Sequence, residues 1–332
     1  MEPTSAAQLA AYEQRVAADI EQPREDMWVV GLDMRSPTPP FTSLMSIMRD
    51  RDGGLHLLDV GLATDATWDR VLATLHELGA ELSDVRSIIA THHHNEHIDL
   101  AGRLRDASGA QLVMSRAEHD DIAARPSDRA ARLAEESAAW EVPDDDFLAT
   151  AIAQRVSYLD RPLPDADLLV DDGELLPIPG FRLEVVATPG HTPGSMCLLD
   201  RERDVILTGD HILPNQVPGF GLGVGLDDRN PLEDFLASLR RLDDGPEVLP
   251  SHGWRFRGLA SRARQIGERH LNRSREVAAL LAADNRLPVW QLASRLSWSG
   301  GWDALTGFTR MNALRQTAVH RDYVLGGGSL DY

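Results

Sequence analysis

Thr91-His92-His93-His94-Asn95-Glu96-His97-Ile98-Asp99 is the stretch on which the reading of this chain turns. Four histidines and two carboxylates fall within nine residues, directly after the apolar run Ser87-Ile88-Ile89-Ala90. That run reads as a short buried strand, so the imidazoles fall where a strand ends and, from Leu100, a helix begins. His92 and His94 are two apart, and an extended backbone aims both side chains at one point. Glu96 and His97, where the chain turns, can aim at a second point close by. His93 faces the opposite way in an extended segment and is read as a non-ligand. Imidazole together with carboxylate suits Zn²⁺, Fe or Mn²⁺.

Working outward, 332 residues at 42% hydrophobic content describe a globular chain with one large domain and a smaller one. No apolar run approaches the ~18–20 residues that span a bilayer. Residues 1–26 carry apolar positions at helical spacing (Leu9, Tyr12, Val16, Ile20) among acids. They lack the basic start and continuous apolar stretch of a signal peptide, so a cytoplasmic location is expected. The single cysteine, Cys197, excludes an intrachain disulfide framework. All 33 basic residues are arginine, which excludes lysine Schiff-base and P-loop chemistry. The net charge of −19 is uneven: residues 254–332 hold twelve arginines against six acids, and the body carries the excess of acid. An acidic body is a poor partner for nucleic acid.

Strand patterns at 41–48 and 55–60 flank the turn Asp52-Gly53-Gly54, a helix is expected over 67–78, and Gly79 stops it. A further helix over 101–107 and a strand over 111–114 continue an alternating α/β rhythm. Residues 116–160, alanine-rich and polar with Trp140, Phe147 and Tyr158 spaced along them, read as a helical cap inserted over a site or as a plain surface excursion. Strands return at 168–170, 181–187, 195–199 and 205–208, then a helix over 231–242 and a strand at 248–249. From Leu259 a helical stripe (Leu259, Ala263, Ile266, His270, Val277, Leu281) runs beside Arg262, Arg269 and Arg273. Helices at 289–296 and 304–319 and a strand at 323–325 complete a tail that looks winged-helix-like.

Three more donors emerge at strand ends. Thr188-Pro189-Gly190-His191-Thr192-Pro193-Gly194 pins His191 between two Pro-Gly turns, Thr208-Gly209-Asp210-His211 follows Val205-Ile206-Leu207, and Pro250-Ser251-His252-Gly253 follows Val248-Leu249. With these residues in place, the chain resembles the metallo-β-lactamase fold superfamily, whose pattern is His-x-His-x-Asp-His followed in order by His, Asp and His. The resemblance covers residues ~40–255. The tail is more weakly similar, through Arg269-His270-x-x-Arg273, to the C-terminal helical domain of the subgroup related to hydroxyacylglutathione hydrolases.

The resemblance implies an αββα sandwich of class α/β over residues 27–257, with 116–160 as the cap insertion, an N-terminal helix at 1–26 and a C-terminal helical domain at 258–332. It implies one metal site from His92, His94 and His191 and a second from Glu96, His97 and His252, with Asp210 bridging them. Asp59 matches the family's orienting acid after the early strand. Glu96 stands where the family usually has Asp, one methylene shorter. The implied activity is that of a metal-dependent hydrolase, dizinc or with Fe or Mn, in which a hydroxide shared by the ions cleaves a small ester, thioester or lactone. Asp210 and Glu96 are the implied catalytic carboxylates. The expected partner is a small-molecule substrate, with no membrane and an oligomer allowed. The alternatives are a mononuclear iron sulfur dioxygenase on the same fold, using His92, His191 and Asp210, and a nucleic-acid-processing enzyme that grips phosphates with the arginine tail. Outside the constellation, His211 reads as lining or orienting the site, His270 as a core or tail-docking histidine, Cys197 as inert packing, and Trp254 as pocket or core. The run Gly219 to Gly225 reads as a loop over the site and not a dinucleotide motif.

Overall fold

The structure, a computed structural model, describes residues 1–34, 40–143, 146–224 and 229–332. Two sheets lie face to face. One runs Glu21–Arg24, Met27–Asp33, Thr42–Arg49, Leu55–Leu58, Val85–Ile89, Gln111–Ser115, Leu168–Val170 in spatial order. The other runs Glu2–Pro3, Phe256–Arg257, Glu247–Pro250, Val205–Gly209, Met196–Asp200, Glu184–Ala187. Met48, Leu58, Ile89 and Val113 from the first meet Val185, Met196, Leu198 and Leu207 from the second in a core between the sheets. Each sheet buries its other face too. Leu57 and Ile88 pack with Val71 and Leu75 of the helix Asp65–Glu77 and with Leu104 of Ala101–Ser108. Cys197, Ile206 and Val248 pack with Phe235 and Leu239 of Pro231–Arg240 and with Ile266 of Leu259–Ala283. Helix, sheet, sheet, helix is the αββα order that the resemblance implied.

Strands buried on both faces read as continuous apolar runs without alternation. This is why Met27–Asp33, wholly inside the sheet but for Trp28 and Asp33, carries no clear sequence signal. The N-terminal helix is shorter than expected. Ser5 caps it by accepting from the Gln8 N–H, and it ends at Gln14, where Arg15 takes a left-handed conformation at φ 60°. Residues Glu21–Arg24, placed in that helix by the sequence reading, form the edge strand of the first sheet instead. The strand expected at 323–325 is the last turn of the helix Gly307–Leu325, because Tyr323 is buried against the helix Pro231–Arg240 and its neighbours. The tail is thus helical throughout its regular elements.

The inserted segment forms the helices Arg116–Ala123, Arg129–Ala139 and Asp146–Leu159. The side chain of Tyr158 lies outside the described residues. Val142 and Ala151 of this segment share a core with Val289, Ala293, Met311 and Leu314 of the tail. Cap and tail are therefore one packed layer, although nearly 150 residues of sequence separate Ala151 from Ala293. Among the described residues no helix is long and apolar enough to cross a membrane.

Strand direction positions the site. Leu55–Leu58 pairs in parallel with Val85–Ile89, and Val205–Gly209 in parallel with Glu247–Pro250. Parallel partners end on the same side, so Asp59 arrives beside Thr91 and Asp210 beside His252. Two backbone bonds then tie the sheets together at that edge, Met196 N–H to Thr91 O at 3.1 Å and Leu44 N–H to Ser251 O at 2.7 Å.

Candidate metal centre

The edge gathers seven donors into two groups. His92, His94, His191 and Asp210 form one, and Glu96, His97, Asp210 and His252 the other, with the donor atoms of each group within 4.8 Å of one another. All are buried except Glu96, which is half-buried. Asp210 belongs to both, and its two oxygens divide between them. Oδ1 lies 3.3 Å from His252 Nε2 and 3.6 Å from His97 Nε2, while Oδ2 lies 3.6 Å from His191 Nε2. Ser251 donates to Oδ1 from the neighbouring strand end.

Each imidazole has its outer nitrogen engaged, which assigns the tautomer of the inner one. His97 Nδ1 donates to Asp59 Oδ2 at 3.0 Å, His252 Nδ1 to Thr42 O at 2.7 Å, and His191 Nδ1 to Gly219 O at 2.7 Å. The Thr91 hydroxyl gives its proton to Asp59 at 2.8 Å and so accepts from His92 Nδ1 at 3.0 Å. His94 Nε2 faces Leu222 O at 3.4 Å. Three inner nitrogens are thereby left as lone pairs turned on one another: His92 Nε2 to His94 Nδ1 at 3.0 Å, and His94 Nδ1 to His191 Nε2 at 3.2 Å. In the other group, His97 Nε2 and His252 Nε2 are buried without a hydrogen-bond partner. Converging lone pairs repel, and buried polar atoms without partners are costly. A cation at each point relieves both, so the residues fit divalent metal.

The electrostatics agree. Burial and the neighbouring imidazoles hold His92 and His94 well below the usual histidine range, and burial lowers His191 as well. These histidines are neutral, as ligation requires. Burial opposes ionisation of Asp210, but the charges of His252 and His97 overcome it and hold the carboxyl well below its ordinary value. Burial likewise disfavours a charged His97, yet Asp59 and Asp210 on either side raise it well above the usual range. Without metal, a proton on His97 supplies the positive charge that this spot favours.

Residues that the sequence singled out fall on both sides of the boundary. Asp59 orients His97 and Thr91, at the cost of a left-handed backbone (φ 57°) that non-glycine residues seldom adopt. His93 turns away from the donors. His211 is buried against the Phe235 ring at 5.0 Å, and burial pushes it down to about 3. Trp254 packs edge-on to Tyr12 at 5.3 Å in the core. The buried Cys197 thiol is pushed up to about 12 by burial. Of the glycine-rich run, Gly219 and Leu222 border the site, and Gly225 lies outside the described residues. The turns around His191 are as tight as their sequence implies. Gly190 has φ 131°, and a Cβ on Gly194 would lie 1.9 Å from the Glu118 backbone nitrogen.

Glu118 itself escaped the sequence reading. Its carboxylate accepts four hydrogen bonds, from His93 N at 2.7 Å, His93 Nδ1 at 2.5 Å, the Thr192 hydroxyl at 2.7 Å and Gly194 N at 3.0 Å. It thus clamps the loop carrying His92, His94 and His97 to the loop carrying His191. His93, non-ligating, is the handle. Burial opposes the charge on Glu118, and His93 outweighs it, lowering the carboxyl's pKa. The available signal was Ser115 three residues before Glu118, a helix N-cap pair. Ser115 does accept from the Glu118 N–H, but the glutamate reaches across to the ligand loops instead of back to the cap. Glu118→Ala is expected to cost about 2–4 kcal/mol of stability, from the buried donors left unpaired, and about 10–100-fold in metal affinity. Denaturant midpoints and metal titration check both, and unchanged metal affinity would show that the clamp is structural alone.

A cavity of about 620 Å³ opens over the donors. His94, Glu96 and Asp210 lie on its floor, Gln154 and Arg155 come from the cap, and Phe308 and Asn312 from the tail. Residues of the inserted segment and of the tail thus line this cavity together.

This fold and these donors define a metallohydrolase-type centre, and the comparison with known families agrees. Residues 38–252 match the model of the metallo-beta-lactamase superfamily, and the chain belongs to that family. The chain is 25% identical over 227 residues to hydroxyacylglutathione hydrolase GloC of Haemophilus influenzae, covering 65% of this chain and 88% of that protein. It is 27% identical over 183 residues to the probable polyketide biosynthesis zinc-dependent hydrolase BaeB of Bacillus velezensis, covering 54% of this chain and 60% of that one. Among solved structures, the metallo-beta-lactamase family protein TTHA1429 of Thermus thermophilus superposes with a TM-score of 0.74 at 26% identity, over 92% of this chain and 95% of that one. The chain is a metal-dependent hydrolase of this superfamily.

Proposed function

We propose that the centre holds two metal ions, zinc by the nitrogen-rich donor set, and hydrolyses a small ester, thioester or lactone. The observation that carries this reading is the division of Asp210 between the two donor groups, one oxygen toward each. His92, His94 and His191 would hold one ion, Glu96, His97 and His252 the other, with Asp210 between. A metal pair so held supplies Lewis acidity toward a carbonyl oxygen and a water of lowered pKa.

The chain's own residues do the rest. Asp59, Thr91, Thr42, Gly219 and Leu222 hold the five imidazole rings in the ligating orientation, and His97 would give up its extra proton on binding. Asp210, kept ionised, serves as a shared donor and hydrogen-bond acceptor at the centre and not as an acid. The roof formed by Gln154, Arg155 and Phe308 encloses a substrate of limited size, which fits a small molecule. The names of the relatives, a hydroxyacylglutathione hydrolase and a zinc-dependent hydrolase, support hydrolysis and zinc. Elemental analysis of the purified protein, with assay of thioester, ester and lactone panels, tests the reading. Two zinc ions per chain with activity lost to chelator is the expected result. One iron per chain with oxygen consumption would replace it with the dioxygenase alternative.

A further inference from the structure

Behind the segment 217–222 lies a second cavity, of about 390 Å³, that no part of the hydrolytic centre uses. It adjoins the first, and Val217, Pro218, Gly219, Leu222 and Asn312 border both. Its far wall is basic. Arg269 and Arg273 reach it from the helix Leu259–Ala283, and Trp298, Asn312 and Gln316 complete it. Two arginines four residues apart share one helix face and repel each other. In a chain with 52 acids to 33 bases, neither has an ion-pair partner among the described residues, whereas Arg24, Arg255 and Arg275 each do.

Arg273 is held in place and yet unsatisfied. Its guanidinium carbon lies 4.1 Å from the Trp298 ring centre, and Nη2 donates to Ser297 O, while Nη1 is buried without a hydrogen-bond partner. Glu276, the nearest acid on the same helix, accepts from the Ser297 N–H instead. The histidines on this wall add no charge, since burial pushes His270 down to about 4 and holds His320 well below its usual range. A held cation with an orphaned N–H, Arg273, and a second, exposed cation, Arg269, around one small space make an anion site. A carboxylate is saturated by one guanidinium fork. A phosphate monoester, with three free oxygens and nearly two charges, matches two arginines.

We propose that this cavity is a phosphate subsite, holding the remote phosphate of an ester or thioester whose alcohol or thiol arm runs from the first cavity past Asn312. The inference rests on the hydrolytic reading for the position of the scissile bond. With a thioester, water adds its oxygen to the acyl carbon, the C–S bond breaks, and the thiol leaves with a proton on its phosphate-bearing arm.

The test uses the full chain, both metal-loaded and chelator-treated, with phosphopantetheine and pantetheine, which differ only in the phosphate. Phosphopantetheine is expected to bind at least about tenfold more tightly. The double variant Arg269→Ala, Arg273→Gln should lose that preference, and Arg264→Ala, elsewhere on the same helix, should keep it. The ratio of kcat/KM for the two S-acetyl derivatives should fall in parallel in the double variant. Equal affinities in the wild type, a preference that survives the double variant, or displacement by a short single-stranded RNA at lower concentration would overturn the subsite. Binding to chelator-treated protein separates the two claims. A phosphate preference without hydrolysis of thioester, ester or lactone removes the hydrolytic reading and keeps the subsite. Equal hydrolysis of both derivatives with equal binding does the reverse.

Discussion

Asp210→Asn is expected to lower metal affinity by about two to three orders of magnitude, the equivalent of breaking a buried charge pair worth about 3–4 kcal/mol. Hydrolysis should fall at least as far. The reason is the position of this carboxylate, which is the one donor common to both groups and the one anion facing the buried imidazoles on both sides. An amide of the same shape can still accept from Ser251, so the fold is retained and the loss is one of charge. The metal-free variant loses the charge that faces His97 and should unfold at a lower denaturant concentration than the metal-free parent, and zinc should add stability to the parent and not to the variant. Isothermal titration with zinc and denaturant curves read this directly. A variant that keeps two tightly bound ions and full activity would remove Asp210 from the centre of the proposal.

Glu96 gives the second large effect, in the opposite sense. It is the one donor only half-buried, on the short helix Asn95–Ile98, and it borders the substrate cavity. The group of His92, His94 and His191 owes nothing to it, being held by a strand end, two Pro-Gly turns and the Glu118 clamp. Its own group includes a longer, more mobile arm that loses more side-chain entropy on ordering. Chelator titration is accordingly expected to remove metal in two steps, with hydrolysis lost in the first. Glu96→Asp should narrow the gap between the steps, and Glu96→Gln should widen it. Full hydrolytic activity with one equivalent of zinc would show that two ions are not needed.

Much of this centre was legible because its chemistry is carried by short stretches at strand ends. A two-residue spacing aims His92 and His94 together without help from the rest of the chain, and Pro-Gly turns on either side of His191 announce a fixed side chain. The same locality misled elsewhere. Apolar spacing from Leu9 to Ile20 reads as one helix, yet pairing of Glu21 with Val29 pulls the end of that segment into a sheet. Tyr323 to Leu325 have the composition of a strand, but burial of Tyr323 beside the helix Pro231–Arg240 keeps them helical.

The sequence by itself determined which atoms could bind metal and that strand ends would present them, since residue type and backbone period are local properties. Only the tertiary structure decided what those atoms face. Glu118 meets Thr192 across 74 positions, and His252 meets Thr42 across 210. The Asp210 carboxylate turns one oxygen to each group because two parallel strands end side by side. Arg273 lines a cavity beside the site because the tail helices fold back over the cap. None of these has a sequence period, because each depends on two distant segments whose packing is specified by the whole core.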